Sequence, residues 1–324
     1  MEPFGWAYLG CGGIAHGTAS EMVKAGTGRI AAAWNRTPEK ADAFVAKFGG
    51  KAYATAEEAI LAPGVEGVYI AVNPNMHAEL MRLCIRHHKA VLCEKPFTVN
   101  AQEAADILAY ARGEGVYVSE AMWTWHNQVA FKVRQWLKEG RVGEVKRVYC
   151  AFSPDLFDHS ARLRDPEMIG GSLLDIGVYN IRYCYELFGM PERIECVDYA
   201  LRGGVDSHET VIMHYPGFAA ELAVGIDRPC PEILEIEGTK GIIRVPDFHM
   251  ASLAYLEGDR PECFEDPSLH YAVQFDEVAG EIRGGQPSGV HITPESTVDV
   301  MRLMDECRRQ MGLRYPYEAE KEKA

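Results

Sequence analysis

The chain has 324 residues, 47% of them hydrophobic and 25% charged, with a formal net charge of −14. This length exceeds one compact core of the commonest size and predicts two domains, while the acidic balance argues against general nucleic-acid binding and against docking on anionic lipid. No apolar run approaches the roughly 20 residues of a membrane helix, no signal-peptide pattern precedes the first strand, and nine cysteines without a C-x-x-C pair read as reduced thiols of a cytoplasmic protein.

In chain order the first third alternates strand and helix. Residues 5–9 form an apolar strand, 14–25 a helix and 29–34 a second strand. Thr37-Pro38-Glu39 is an N-cap followed by proline at the first helical position, and Gly49-Gly50 ends that helix. Thr55 and Glu58 have the spacing of a capping box. Strands are predicted at 67–72, 90–93 and 116–121, with helices at 76–87 and 100–112 between them. Strands separated by helices imply right-handed crossovers and a parallel sheet. After about Met122 the pattern changes. A helix at 129–139 leads to longer strands joined by turns, at 145–152, 193–201, 209–215, 219–226, 233–237, 241–245 and 252–257. Gly238-Thr239-Lys240-Gly241 reads as a hairpin connection. Alternating polar and apolar residues give this antiparallel sheet one face that is wet or covered by a partner. Further helices are expected at 171–188 and, after Thr293, at 294–311, with a frayed charged tail at 318–324. The domains are therefore placed at 1–121, binding a dinucleotide on a Rossmann fold, and 122–324, binding substrate and supporting oligomerisation. The helix 294–311 is expected to pack back toward the first.

Gly10-Cys11-Gly12-Gly13-Ile14-Ala15 follows the first strand and opens the first helix. In a G-x-G-x-x-A turn, Gly10 permits the sharp bend, Gly12 lets backbone approach a pyrophosphate, and Ala15 keeps helix and strand close. Gly13 and Ile14 begin the helix whose free N–H groups face the phosphates. At the end of the second strand, Asn35 and Arg36 stand where an NAD-specific fold places a carboxylate. A guanidinium there suits a 2′-phosphate, so the expected cofactor is NADP, with NAD possible; as an ordinary solvated loop residue, Arg36 would leave the enzyme open to both.

Three more segments carry chemistry. Asn73, Asn75 and His77 follow a central strand, where the asparagines either bond ribose hydroxyls or cap the next helix, and where His77 sits near the cofactor. Glu94-Lys95-Pro96 ends a buried strand; Lys95 is held where nicotinamide should lie, with Glu94 positioning it, or the two form a strand-ending ion pair. Gly170-Gly171-Ser172-Leu173-Leu174-Asp175-Ile176-Gly177-Val178-Tyr179-Asn180 carries Asp175 and Tyr179 four residues apart on one helical face. Tyr179 then donates a proton to a carbonyl as hydride arrives, Lys95 stabilises the phenolate, and Asp175 holds substrate hydroxyls or the lysine. The alternative is a buried tyrosine bonded to a structural aspartate.

The order G-x-G-x-I-A, N-P-N-x-x-H, E-K-P and G-G-S-L-L-D-I-G-V-Y resembles the glucose-fructose oxidoreductase/inositol dehydrogenase (Gfo/Idh/MocA) family over the whole chain. It is most similar to the branch holding dihydrodiol dehydrogenase and D-xylose dehydrogenase, in which Tyr ends the last motif as Tyr179 does. The resemblance implies an α/β fold, with a doubly wound parallel Rossmann sheet followed by an α/β domain whose open, mainly antiparallel sheet supports a homodimer or homotetramer. It implies Lys95 as the active-site lysine, Tyr179 as general acid/base and Asp175 as its neighbour. Trp123, Trp125, His126, His159, Arg162 and Asn180 are the expected substrate contacts, with Trp123 and Trp125 equally open to a core role and His159 to that of an ordinary loop histidine. Relatives often carry Arg where Trp125 stands, so an aromatic wall replaces a charged donor. No metal is expected, although residues 155–159 have metal-binding types. The implied reaction moves a hydride between nicotinamide and a sugar, polyol or cyclic diol. The competing reading is a non-catalytic dinucleotide sensor or regulatory subunit on the same scaffold.

Overall fold

The computed structural model describes residues 2–268 and 270–321. The chain divides into two compact units, one of residues 1–123 with 269–298 and one of residues 124–268 with 299–324. The first unit begins β1 (Phe4–Leu9), α1 (Gly13–Ala25), β2 (Gly28–Trp34), α2 (Pro38–Phe48), β3 (Lys51–Ala52) and α3 (Ala56–Ile60). It continues β4 (Gly67–Ile70), α4 (His77–Arg86), β5 (Ala90–Glu94), α5 (Ala101–Glu114) and β6 (Val118–Ala121). All pairings are parallel, in the order β3-β2-β1-β4-β5-β6. Winding reverses between β1 and β4, which opens a crevice at the carboxyl ends of these strands, where ligands of such sheets bind.

Local chemistry explains the helix starts. Thr55 Oγ1 accepts from the Glu58 N–H at 3.2 Å and Glu58 Oε2 accepts from the Thr55 N–H at 3.1 Å, a complete capping box. Asn100 Oδ1 accepts from the Glu103 N–H in the same manner. Thr37 caps α2 by position only, with Pro38 following and no side-chain bond to the helix. The core gathers Tyr8, Phe44 and Tyr69 around Phe275, whose ring lies 5.1 Å from Trp6 and 5.0 Å from Tyr69. Phe275 belongs to the helix His270–Arg283. The chain therefore returns to the first unit after the second sheet is built, which a single division at 121/122 does not describe.

The second unit contains α6 (Gln128–Lys138), β7 (Val145–Ser153), α7 (Val178–Phe188), β8 (Arg193–Arg202), β9 (Val205–Tyr215) and β10 (Phe218–Gly225). The strands β11 (Cys230–Gly238), β12 (Gly241–Pro246), β13 (Leu253–Gly258) and β14 (Glu262–Glu265) complete it. They form one sheet in the order β14-β13-β12-β11-β7-β10-β9-β8, antiparallel except where β7 meets β10. Its inner side buries Cys150, Leu222, Leu234, Ile236 and Ile243, and α7 packs over β7 and β10. Register aligns Tyr255, Arg244, Glu235, Tyr149, Glu221 and Ile212 in one row across the other side. Arg244 ion-pairs there with Glu235 and Glu257, and Val197, Tyr199 and Leu201 of the edge strand β8 are exposed. Residues 316–321 are helical where a frayed tail is predicted, and 322–324 lie outside the described residues. Among the described residues no helix is long and apolar enough to cross a membrane.

One glycine sets the crevice. Gly10 has φ +102°, and a Cβ added to it would stand 2.3 Å from the Ala71 carbonyl oxygen. The backbones at the ends of β1 and β4 thus approach more closely than any side chain allows. Gly10→Ala should lower the free energy of unfolding by ~1–3 kcal/mol or more, measured by urea titration; wild-type stability would contradict the assigned close approach.

Candidate active site

In the first unit the predicted cofactor residues share one rim. Gly12 and Gly13 are exposed, and a Cβ added to either meets nothing within 4 Å. Gly12 caps α1 without a side-chain acceptor, leaving the helix N-terminus open to an anion, and Ala15 is fully buried, as close packing of helix on strand requires. This is a cradle that side chains would fill, and it fits a dinucleotide pyrophosphate. Asn35 braces it: its Oδ1 accepts from the Cys11 N–H at 3.1 Å and its Nδ2 donates to the Thr37 carbonyl at 3.0 Å. Arg36 is exposed beside it.

The loops after β4 and β5 are pinned by His77, which is fully buried. Its Nδ1 lies 3.0 Å from the Pro96 carbonyl oxygen and its Nε2 3.1 Å from that of Val72. Burial pulls the imidazole pKa down against the pull of these carbonyls. Asn73 stands at the N-terminus of the 3-10 turn Pro74–Met76 without a side-chain cap bond, and both Asn73 and Asn75 are partly exposed. Glu94 accepts from the buried Tyr69 hydroxyl and from the Lys95 N–H, and burial beside the Glu94 charge raises the Tyr69 pKa well above its ordinary value. Lys95 is partly exposed at the end of β5, two strands along the rim from the glycine turn.

In the second unit Asp175 and Tyr179 lie on a helix that starts irregularly. Residues Leu173–Gly177 make a π-helical turn that leads into α7, a widening frequent at functional sites. Arg162 donates to Asp175 Oδ1 at 2.8 Å. The Tyr179 ring lies 6.1 Å from Phe152 and 5.5 Å from His249, and its residue is 6% exposed.

Residues 4–122 match the oxidoreductase family with an NAD-binding Rossmann fold, and residues 131–244 match the GFO/IDH/MocA C-terminal domain. The chain belongs to the GFO/IDH/MocA oxidoreductase family. It carries an NAD(P)-binding Rossmann domain and falls among NAD(P)-dependent sugar or diol oxidoreductases. It is 30% identical to trans-1,2-dihydrobenzene-1,2-diol dehydrogenase of Mus musculus, over 96% of this chain and 98% of that one. It is 32% identical to scyllo-inositol 2-dehydrogenase (NADP(+)) IolU of Bacillus subtilis, over 89% and 91%. The crystal structure of KijD10, a 3-ketoreductase from Actinomadura kijaniata in complex with NADP and TDP-benzene, superposes with a TM-score of 0.85 at 24% identity, over 95% of this chain and 98% of that one.

Several expected contacts of this GFO/IDH/MocA oxidoreductase have other surroundings. Trp125 is 1% exposed and packs edge-on against Tyr183 and Phe131, which favours its core reading over that of an aromatic wall. Asn180 is fully buried and donates to the Cys150 carbonyl at 3.0 Å, because the residue after Tyr179 turns toward the sheet. His77 braces backbone, as described, and reaches no surface from which to touch a cofactor. His159 is exposed on a loop, and His126 is 2% exposed. Trp123 packs on Tyr271, 4.8 Å away, within the first unit. Arg162 is the expected substrate residue that adjoins Asp175 directly.

A buried acid cluster that no motif announced lies beneath the π turn. Ser172 Oγ lies 2.8 Å from Asp206 Oδ2 and 2.8 Å from Glu209 Oε2, and the Leu173 N–H donates to Asp206 Oδ2. A Cβ on Gly171, at φ +113°, would come within 2.1 Å of Asp206 Oδ1. One hydroxyl offers one proton, so both serine contacts are hydrogen bonds only when a carboxyl is protonated. Burial raises the pKa of both acids, and the Asp206 charge adds to the rise at Glu209. The signal in the sequence was Asp206-Ser207-His208-Glu209, four consecutive polar residues within a strand. Because the folded pKa of Glu209 lies above its ordinary 4.5, the folded state keeps a proton that the unfolded chain releases. This contribution to stability is full below that value and declines as pH rises toward the folded pKa. Glu209→Gln should therefore lose less unfolding temperature than the parent between pH 5 and pH 8 in scanning calorimetry. An equal decline would rule out the shared proton.

Proposed function

We propose that this protein is an NADP-preferring dehydrogenase or reductase acting on a secondary alcohol or hemiacetal carbon of a sugar, polyol or cyclic diol. The observation that carries the reading is the rim of the parallel sheet, where the open cradle over Gly12 and Gly13 and the Lys95 side chain share the carboxyl ends of β1 and β5. The names of the relatives support the substrate class, a ring diol in one case and an inositol in the other. Self-association through the outer side of the second sheet belongs to the same reading and draws support from the exposed Val197 of its edge strand.

The N–H groups that open α1 would hold the pyrophosphate, and Arg36 with the Thr37 hydroxyl would hold the 2′-phosphate. The chemistry that a bound nicotinamide would supply is hydride transfer. Tyr179 gives or takes the proton at its phenol oxygen, and the Lys95 ammonium favours the phenolate. Asp175, paired with Arg162, orients the substrate hydroxyls. Fixed donors and cations suit charge that develops on a substrate oxygen and need no reorganisation during reaction.

The test is a spectrophotometric screen of aldoses, inositols, anhydrosugars and cyclic diols with NADP and NAD. On an alcohol that is oxidised, Lys95→Met and Tyr179→Phe should each cut kcat by roughly 10²–10⁴ while cofactor fluorescence titrations stay unchanged; near-parental turnover in both would remove the mechanism. Arg36→Ala should weaken NADP binding by about 10–100-fold, the value of a charge-assisted hydrogen bond, and leave NAD binding alone. Equal effects on both cofactors would refute the 2′-phosphate assignment.

A further inference from the structure

Beside Tyr179 stands a histidine to which the reaction as described gives no task. His249 lies on the 3-10 turn Phe248–Met250, which is anchored on every side within the second unit. Phe248 is fully buried against Phe152 and Tyr183. The His249 carbonyl accepts from Thr124 Oγ1 at 3.2 Å, and the Asp247 N–H donates to the Glu232 carbonyl at 3.2 Å. Glu232 Oε1 accepts twice from His249, from the backbone N–H and from ring Nδ1, each at 2.7 Å. One face of the imidazole stacks on Phe152 at 4.2 Å, and the Tyr179 ring is 5.5 Å away. The histidine side chain is 19% exposed and the glutamate 11%.

A carboxylate at Nδ1 makes that nitrogen the donor and Nε2 the basic atom of the neutral ring. A proton that reaches Nε2 forms an imidazolium whose charge Glu232 already balances. The other titratable groups around the pair are Cys150 on β7 and Cys230 on β11, both thiols with raised pKa, and Asp247 on the same turn. The thiols bring no charge at neutral pH, so the charged neighbours are Glu232 and Asp247, and Tyr179 adds a hydroxyl from the element packed against the ring.

We propose that His249, held by Glu232, exchanges the reaction proton between Tyr179 and water. The inference rests on the reading of Tyr179 as the acid/base. In the oxidative direction the alcohol proton passes to the Tyr179 oxygen. The phenol O–H bond then breaks as Nε2–H forms, the Nδ1–H stays on the ring and hydrogen-bonded to Glu232, and the Nε2 proton leaves to water. One proton enters the relay and one leaves, and no electrons move along it. His249 is thus a positioning residue that acts through Tyr179.

The experiment is nitrogen NMR on protein labelled with ¹⁵N-histidine, with the His249 signals assigned by their loss in His249→Gln. The parent should show a protonated Nδ1 and a basic Nε2. Glu232→Gln should move the Nδ1 resonance, and Tyr179→Phe should move Nε2; phenylalanine keeps the aromatic ring, so movement reports the hydroxyl. An Nε2 resonance unchanged by Tyr179→Phe overturns the proposal. With an alcohol from the screen, His249→Ala should lose roughly 10²-fold in kcat and regain most of it in imidazole buffer, whereas Tyr179→Phe regains nothing. Parental turnover, or a loss that imidazole does not repair, also overturns it. A screen without any oxidised alcohol counts against the functional reading alone, and the NMR result still decides the relay.

Discussion

Nothing larger than hydrogen fits between Gly10 and the carbonyl of Ala71, and the whole rim of the first unit is referred to that contact. The Ala71 N–H donates to Leu9, and the Gly10 N–H to Trp34, so three strand ends converge on one turn. From Val72 the linkage passes through the His77 ring to Pro96, and so to the backbone of Lys95. A lysine on a long flexible stem gains a defined origin from a buried imidazole that itself does no chemistry. Positioning of this kind is where a fold contributes most to a reaction whose covalent steps belong to the cofactor.

The second unit solves the corresponding problem with polar groups placed under a helix. The first turn of a helix has N–H groups without intrahelical partners. Here the Leu173 N–H is satisfied by Asp206, and Ser172 couples that acid to Glu209. Tyr315 adds a hydroxyl bond to the Gly170 carbonyl at 2.6 Å. Half-satisfied buried networks destabilise a protein more than apolar packing does, and burial, which raises the pKa of both acids, favours a protonated carboxyl in this arrangement. The π turn that follows orients Asp175 toward Arg162.

Much of this was legible in the sequence because it depends on short-range chemistry. The glycine turn and the Thr55 capping box each need only neighbours a few residues away. Alternation along residues 233–237 was enough to separate the two sides of the sheet, since side chains alternate strictly with the pleat. What could not be read depends on which core a residue meets. Trp123 and Trp125 are both aromatic and two positions apart, yet one packs on Tyr271 and the other on Tyr183. Tyr179 and Asn180 are adjacent on one helix, and the turn between them takes the amide to Cys150. His249 belongs to no periodic pattern; the strands β11 and β12 carry it to Glu232. The helix His270–Arg283 joins a core laid down by residues more than two hundred positions earlier, a partnership that no local signal announces.

Asn35 bears on any attempt to retarget the coenzyme. Its amide is at once acceptor for the glycine loop and donor to the loop of Arg36. A carboxylate there would bring the charge that greets an unphosphorylated ribose and preserve the acceptor, but it would abolish the donor and set an oxygen against the Thr37 carbonyl. An acid introduced at Asn35 would therefore have to be accompanied by a new donor to the Thr37 carbonyl from another position.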